Sequence, residues 1–126
     1  MRCTFLSVGF LVSLSATGVA ACDARESYVA RIGAADHFNS NGVRLTSAAA
    51  IIRQDRANYH VFGKRDREDQ SDNFFSSVEN RALLESLLAR GESSRTAIDQ
   101  IINGTPLVEV TICRGKTGDF VTVVVK

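Results

Sequence analysis

The chain has 126 residues, 44% of them hydrophobic and 23% charged, with a net charge of +1. That length suits one domain rather than two, and the composition excludes a disordered tail or a coiled coil. The charge is nearly balanced, with no basic tail and no cationic face interleaved with aromatics, so the electrostatic footprint of nucleic-acid binding is missing.

The first 21 residues are laid out as a secretory signal peptide. Arg2 is followed by an apolar stretch from Phe5 to Leu14 and by small residues from Ser15 to Ala21. The stretch is too short and too rich in Ser and Gly for a transmembrane helix. Val19 and Ala21 stand three and one before a cut that leaves Cys22 first, so residues 22–126 are expected to form one domain exported to the periplasm or beyond. "VAAC", Val19–Cys22, also resembles a bacterial lipobox, with Val19 where Leu is commonest. That resemblance implies a lipid on Cys22.

Cys3 leaves with the signal, and Cys22 and Cys113 remain as an even pair. In an oxidising compartment such a pair favours a disulfide. By closing a loop of about 90 residues, it would restrict the unfolded chain by about 4 kcal/mol in the loop-entropy model. Lipidation of Cys22 and two unpaired thiols are the alternatives.

In chain order, "SYVARI" (Ser27–Ile32) alternates as a short strand. The Asn-Ser-Asn-Gly cluster at 39–42 is turn chemistry. A helix over 46–62 follows, with Thr46 as N-cap and Gly63 as stop. Its apolar stripe holds Ala48, Ile51, Ile52, Tyr59 and Phe62, with Asp55 in the middle. The run Lys64–Asn73 carries no apolar side chain and reads as a solvated connector. A calcium loop starting at Asp66 would want Gly and a bidentate Glu where Ser71 and Ser77 stand.

Ser76 with Glu79 forms a capping box for a helix whose Leu83, Leu84, Leu87 and Leu88 make one stripe, ending at Gly91. Ser94 caps a shorter helix carrying Ala97, Ile98, Ile101 and Ile102. The chain closes with two strands, "LVEVTICR" and "DFVTVVVK", around the hairpin loop Gly115–Gly118. The predicted fold is α+β. A small antiparallel sheet, the N-terminal strand plus the C-terminal hairpin, is covered on one face by about three amphipathic helices.

The two histidines, His37 and His60, belong to no HExxH, and no CxxC, Gly-rich phosphate loop or GxSxG occurs. Neither a metal nor a cofactor is expected. His37 reads as a loop histidine packed at the domain edge. Asp55 cannot be buried unpaired without a cost of several kcal/mol. Arg44, or the turning backbone of 39–42, is its expected partner, with Arg53 and Arg56 solvating the outer sides of the helix. Held by donors, Asp55 should have a lowered pKa. Asp36, His37 and Asp55 are the candidate binding residues.

The chain is therefore expected to be an exported, non-catalytic module that binds another envelope or secreted protein. One alternative is an envelope lipoprotein tethered through Cys22, with a structural or assembly role. Another is a small secreted hydrolase using Asp55, Asp36 or His37.

Overall fold

Three strands form one antiparallel sheet in the order β1-β2-β3: β1 is Asp23–Arg31, β2 Leu107–Gly115 and β3 Gly118–Val125. This computed structural model describes residues 22–126 and, before them, Gly9 alone, so the expected signal peptide over 1–21 lies outside the described residues apart from Gly9. Between β1 and β2 come four helices: α1 (Ala48–His60), α2 (Val78–Ala82), α3 (Leu84–Arg90) and α4 (Arg95–Asn103). The α+β class and its small sheet are as the alternation and the helical stripes predict.

Alternation decides which face is covered. Tyr28 and Ala30 of β1, Val108, Val110 and Ile112 of β2, and Val121 and Val123 of β3 all point to one side. There they pack with Ile51, Ile52, Phe75, Leu84, Leu87 and Ile101 in one core cluster. Burying each large aliphatic side chain contributes about 1.5–3 kcal/mol. The opposite face carries Ser27, Thr111, Thr122 and Val124 and stays open to solvent, as antiparallel sheets allow. Cys22, just before β1, is bridged to Cys113 near the end of β2, with Cα atoms 5.1 Å apart and a sequence separation of 91.

Several boundaries differ from the predicted ones. β1 starts at Asp23, not Ser27, because a bulge between Ala24 and Glu26 interrupts the alternation that would have revealed it. α1 is capped by Ser47, whose hydroxyl accepts from Ala50 N, and not by Thr46. Ser77, not Ser76, caps α2 by accepting from Asn80 N, while its own hydroxyl donates to Glu79.

The single helix predicted after it is broken at Leu83, whose amide bonds three residues back to Asn80 O. That tighter turn rotates the stripe. Leu84 and Leu87 are buried, Leu88 is partly buried, and Leu83 swings out to 49% exposure. The hairpin turn is tighter than predicted, with Gly115 and Gly118 paired across Lys116 and Thr117, and Gly118 takes φ +123°.

The largest departure is Lys64–Asn73, expected to be a solvated connector. Most of it is exposed, but Asp72 is buried. Gln70 N donates to Val29 O, Gln70 Oε1 accepts from Val29 N at 2.9 Å, and Asp69 Oδ1 accepts from Arg31 N at 2.8 Å. The segment thus covers the outer edge of β1. On the far side of the sheet, Ser93 Oγ accepts from Val123 N at 3.1 Å. Gly91 lies so close to the carbonyl of Val121 that a Cβ there would collide with backbone.

Candidate functional site

α1 is the element on which the polar residues converge. One of its sides is buried along Ala48, Ile51, Ile52, Asp55, Arg56 and Tyr59. Arg56 is wholly buried. Its guanidinium lies 4.1 Å from the ring centre of Tyr28 and 4.7 Å from that of Tyr59, a desolvated cation–π stack. Nε donates to Asp55 Oδ2 at 2.8 Å, and Nη1 donates to Asp72 Oδ1 and to Gln70 O, both at 3.0 Å. Asp72 Oδ1 is also 2.7 Å from His60 Nε2, and Asp72 Oδ2 accepts from Phe75 N at 2.6 Å. Tyr28 Oη and Arg56 Nη2 have no hydrogen-bond partner among the described residues.

Two buried carboxylates share the one guanidinium, and this sets the electrostatics. Burial pushes Asp55 up to about 8, outweighing the opposing pull of Arg56, and Asp36 and Asp69 push the same way. The expected lowering of Asp55 is therefore reversed: desolvation exceeds the stabilisation by its one cationic donor. Burial likewise raises the Tyr28 phenol well above its usual value, with Arg56 opposing.

The partner predicted for Asp55 was also wrong. Arg44 instead donates to Ile102 O at 2.7 Å and lies over the ring of Phe38. Arg56, expected on the outer side, turns inward because Tyr28 and Tyr59 offer two ring faces and Asp72 a second carboxylate.

Asp36 and His37 end a short 3-10 turn, Ala34–His37, and both are buried. Asp36 Oδ2 accepts from Gly33 N and Asp36 Oδ1 from Asn58 Nδ2, each at 2.8 Å. Burial raises the Asp36 pKa, and these two bonds oppose the rise. His37 is 2.8 Å from Gly33 O through Nδ1 and 2.9 Å from Ile101 O through Nε2. A neutral imidazole has one N–H for these two acceptors, whereas an imidazolium donates to both. Asp36 and Asp55 act on one another electrostatically, but the bonded partners of Asp36, His37 and Asp55 are all internal. Among the described residues no three His, Cys, Asp or Glu side chains converge to hold a metal ion.

The side of α1 facing the 38–45 turn is different. It borders two adjoining hollows of about 330 and 400 Å³ that share Asn39, Ser40 and Gln54. Phe38 and Phe62 line the first with Lys64, and Arg53 borders the second. Phe38 is 42% and Phe62 53% exposed. Gln54 Nε2 donates to Asn58 Oδ1 at 2.9 Å, so the groove floor is tied through Asn58 to Asp36 beneath it.

Phe62 was predicted inside the apolar stripe. α1 ends two residues before it, Val61 is the C-cap, and Gly63 turns the chain with φ +65°. This releases the ring to the surface. The helix-stopping Gly63 was the signal that could have placed Phe62 there. Asp72 was hidden in the polar run that contains it.

Compared with family models, with curated proteins and with solved structures, the chain matches none.

Proposed function

We propose that the chain is an exported, non-catalytic binding module whose partner is another envelope or secreted protein. The observation that carries this reading is how α1 divides its residues. The titratable groups of its buried side are bonded to one another and to backbone, while the open side offers two exposed aromatic rings above a floor of side-chain amides. Exposed apolar groups rimmed by polar ones mark interaction surfaces. The Cys22–Cys113 bridge accords with an oxidising compartment, and the signal-like segment over 1–21 supplies the route.

Against the lipoprotein alternative weighs the same bridge, since a sulfur bonded to Cys113 is not free to carry lipid. Among the described residues no helix is long and apolar enough to cross a membrane. Against the hydrolase alternative weighs the burial of Asp36, His37 and Asp55.

Two measurements test the reading. The intact mass of protein isolated from its host should correspond to cleavage before Cys22 with two hydrogens lost to the bridge. An added lipid mass would transfer the argument to the lipoprotein. Quantitative capture from envelope extract should retain a protein on the wild type that a Phe38→Ser/Phe62→Ser variant loses. Identical sets on both would overturn the assignment of the groove.

A further inference from the structure

We propose that the groove between α1 and the 38–45 turn takes an extended acidic peptide that seats an apolar side chain between Phe38 and Phe62. This rests on the reading of the chain as a module for another protein and names the chemistry of the segment it takes. Three observations carry it.

The first is charge. Among the described residues no carboxylate lines either hollow, while Lys64 borders one and Arg53 the other. Asp36, beneath the floor, is occupied by Asn58 and Gly33 N. A ligand with carboxylates at both ends of an apolar centre meets a cation at each.

The second is the polar lining. The helix backbone is internally bonded and presents no ladder to which a strand could add. Recognition therefore falls to the amides of Asn39 and Gln54. Asn39 Oδ1 is taken by Asn41 N and Val43 N, and Gln54 Nε2 donates to Asn58, which leaves Asn39 Nδ2 as a donor and Gln54 Oε1 as an acceptor, the pair that a peptide group answers in return.

The third is the apolar surround. Ala35 lines the first hollow beside the two rings, and Leu45, Ala50 and Ala57 line the second. Aliphatic groups added to aromatic ones suit an amino-acid side chain better than a sugar ring, which needs hydroxyl partners at that position.

The test is selection of a displayed random decapeptide library on the full oxidised protein. The selected sequences should be enriched in Asp or Glu on both sides of a Leu, Ile, Met or Phe. A synthetic copy of the leading sequence should bind at least about 10-fold more weakly to Phe62→Ser. It should bind about 2- to 5-fold more weakly to each of Lys64→Glu and Arg53→Glu, with the difference shrinking at high salt. All three positions are exposed, and unchanged melting curves confirm that the variants fold.

Selection without acidic enrichment, or binding indifferent to Phe62→Ser, overturns the proposal. So does binding on a glycan array that Phe62→Ser abolishes when no peptide is selected. If envelope capture still yields a protein lost with Phe38→Ser/Phe62→Ser while the library shows no acidic preference, the module reading stands and the acidic peptide falls. Acidic selection without any captured protein gives the reverse.

Discussion

On α1, Arg56 is buried among Tyr28, Tyr59, Asp55 and Asp72, whereas Gln54, two residues earlier, opens onto the groove beside Phe38 and Phe62. Less than one turn of helix thus separates a buried ion network from an exposed aromatic groove bordered by Lys64 and Arg53. The interior groups gather on one guanidinium, and removing Arg56 leaves Asp55 and Asp72 buried without their cation. The groove residues make few such commitments and can exchange their partners for a ligand. In this molecule the side of α1 whose charges are buried and paired holds the fold, and the side bordered by the exposed cations Arg53 and Lys64 is the one open to binding.

The sharpest way to break that contrast is Arg56→Met. It leaves Asp55 and Asp72 buried without their cation and should cost about 3–5 kcal/mol, read from urea unfolding at pH 7. A loss below 1 kcal/mol would mean that the interior network does not hold the fold.

Cys113→Ser comes next, at about 2–4 kcal/mol. The bridge lies at the end of β2, away from α1, so both sides of the helix should lose stability together. Peptide affinity at low temperature should be unchanged while the melting temperature falls. Equal melting temperatures with and without reductant would contradict the bridge.

The third prediction concerns pH. Asp55 is raised to about 8 in the folded protein, against about 4 in an unfolded chain. Between those values the folded state holds a proton that the unfolded chain has released. The cost of Asp55 is therefore absent below about pH 4 and grows as pH rises towards 8. Asp36, raised in the same direction, adds to the trend. Urea midpoints should be higher at pH 5 than at pH 8, and Asp55→Asn should reduce that difference by at least about 1 kcal/mol. A wild-type midpoint that climbs from pH 5 to 8 would show Asp55 to be an ordinary paired carboxylate.

The smallest effect on stability belongs to the groove. Phe62→Ser should shift the unfolding free energy by less than about 0.5 kcal/mol, because the ring is already half in water. Thermal melts of the two proteins check it. A larger loss would place Phe62 in the core and erase the contrast between the two sides.

How far the sequence could be read follows from the range of the interactions involved. Strands β2 and β3, the two-residue alternation of Val108 to Ile112 and Val121 to Val125, and the cap at Ser94 are local patterns and were legible. The other two caps fell one residue late because each has two adjacent hydroxyls, Thr46–Ser47 and Ser76–Ser77, and local pattern does not choose between neighbours. Asp55 was recognised as out of place on an apolar stripe. Its partner was misread because a buried Arg next to it looks, on a helical projection, like a solvated one. The pairing depends on Tyr28 and Asp72, 28 residues before and 16 residues after Arg56, and no periodicity connects them. Phe38 and Phe62 meet at one groove for the same reason: a helix end and a turn are brought together only by the fold.

The side-chain and backbone bonds along the two outer strands have a consequence for the molecule in company. An unpaired strand edge is a template onto which a second chain can add. Here Asp69 and Gln70 take up groups of β1, Ser93 takes up Val123 N, and Gly91 presses its backbone against the Val121 carbonyl. A three-stranded sheet is small, and its open face already carries exposed Val124. With both rims closed at these points, a crowded neighbour finds no continuous ladder to extend. Opening either rim, by Ser93→Ala or by loss of Gln70, would turn a self-contained sheet into a seed for association between copies.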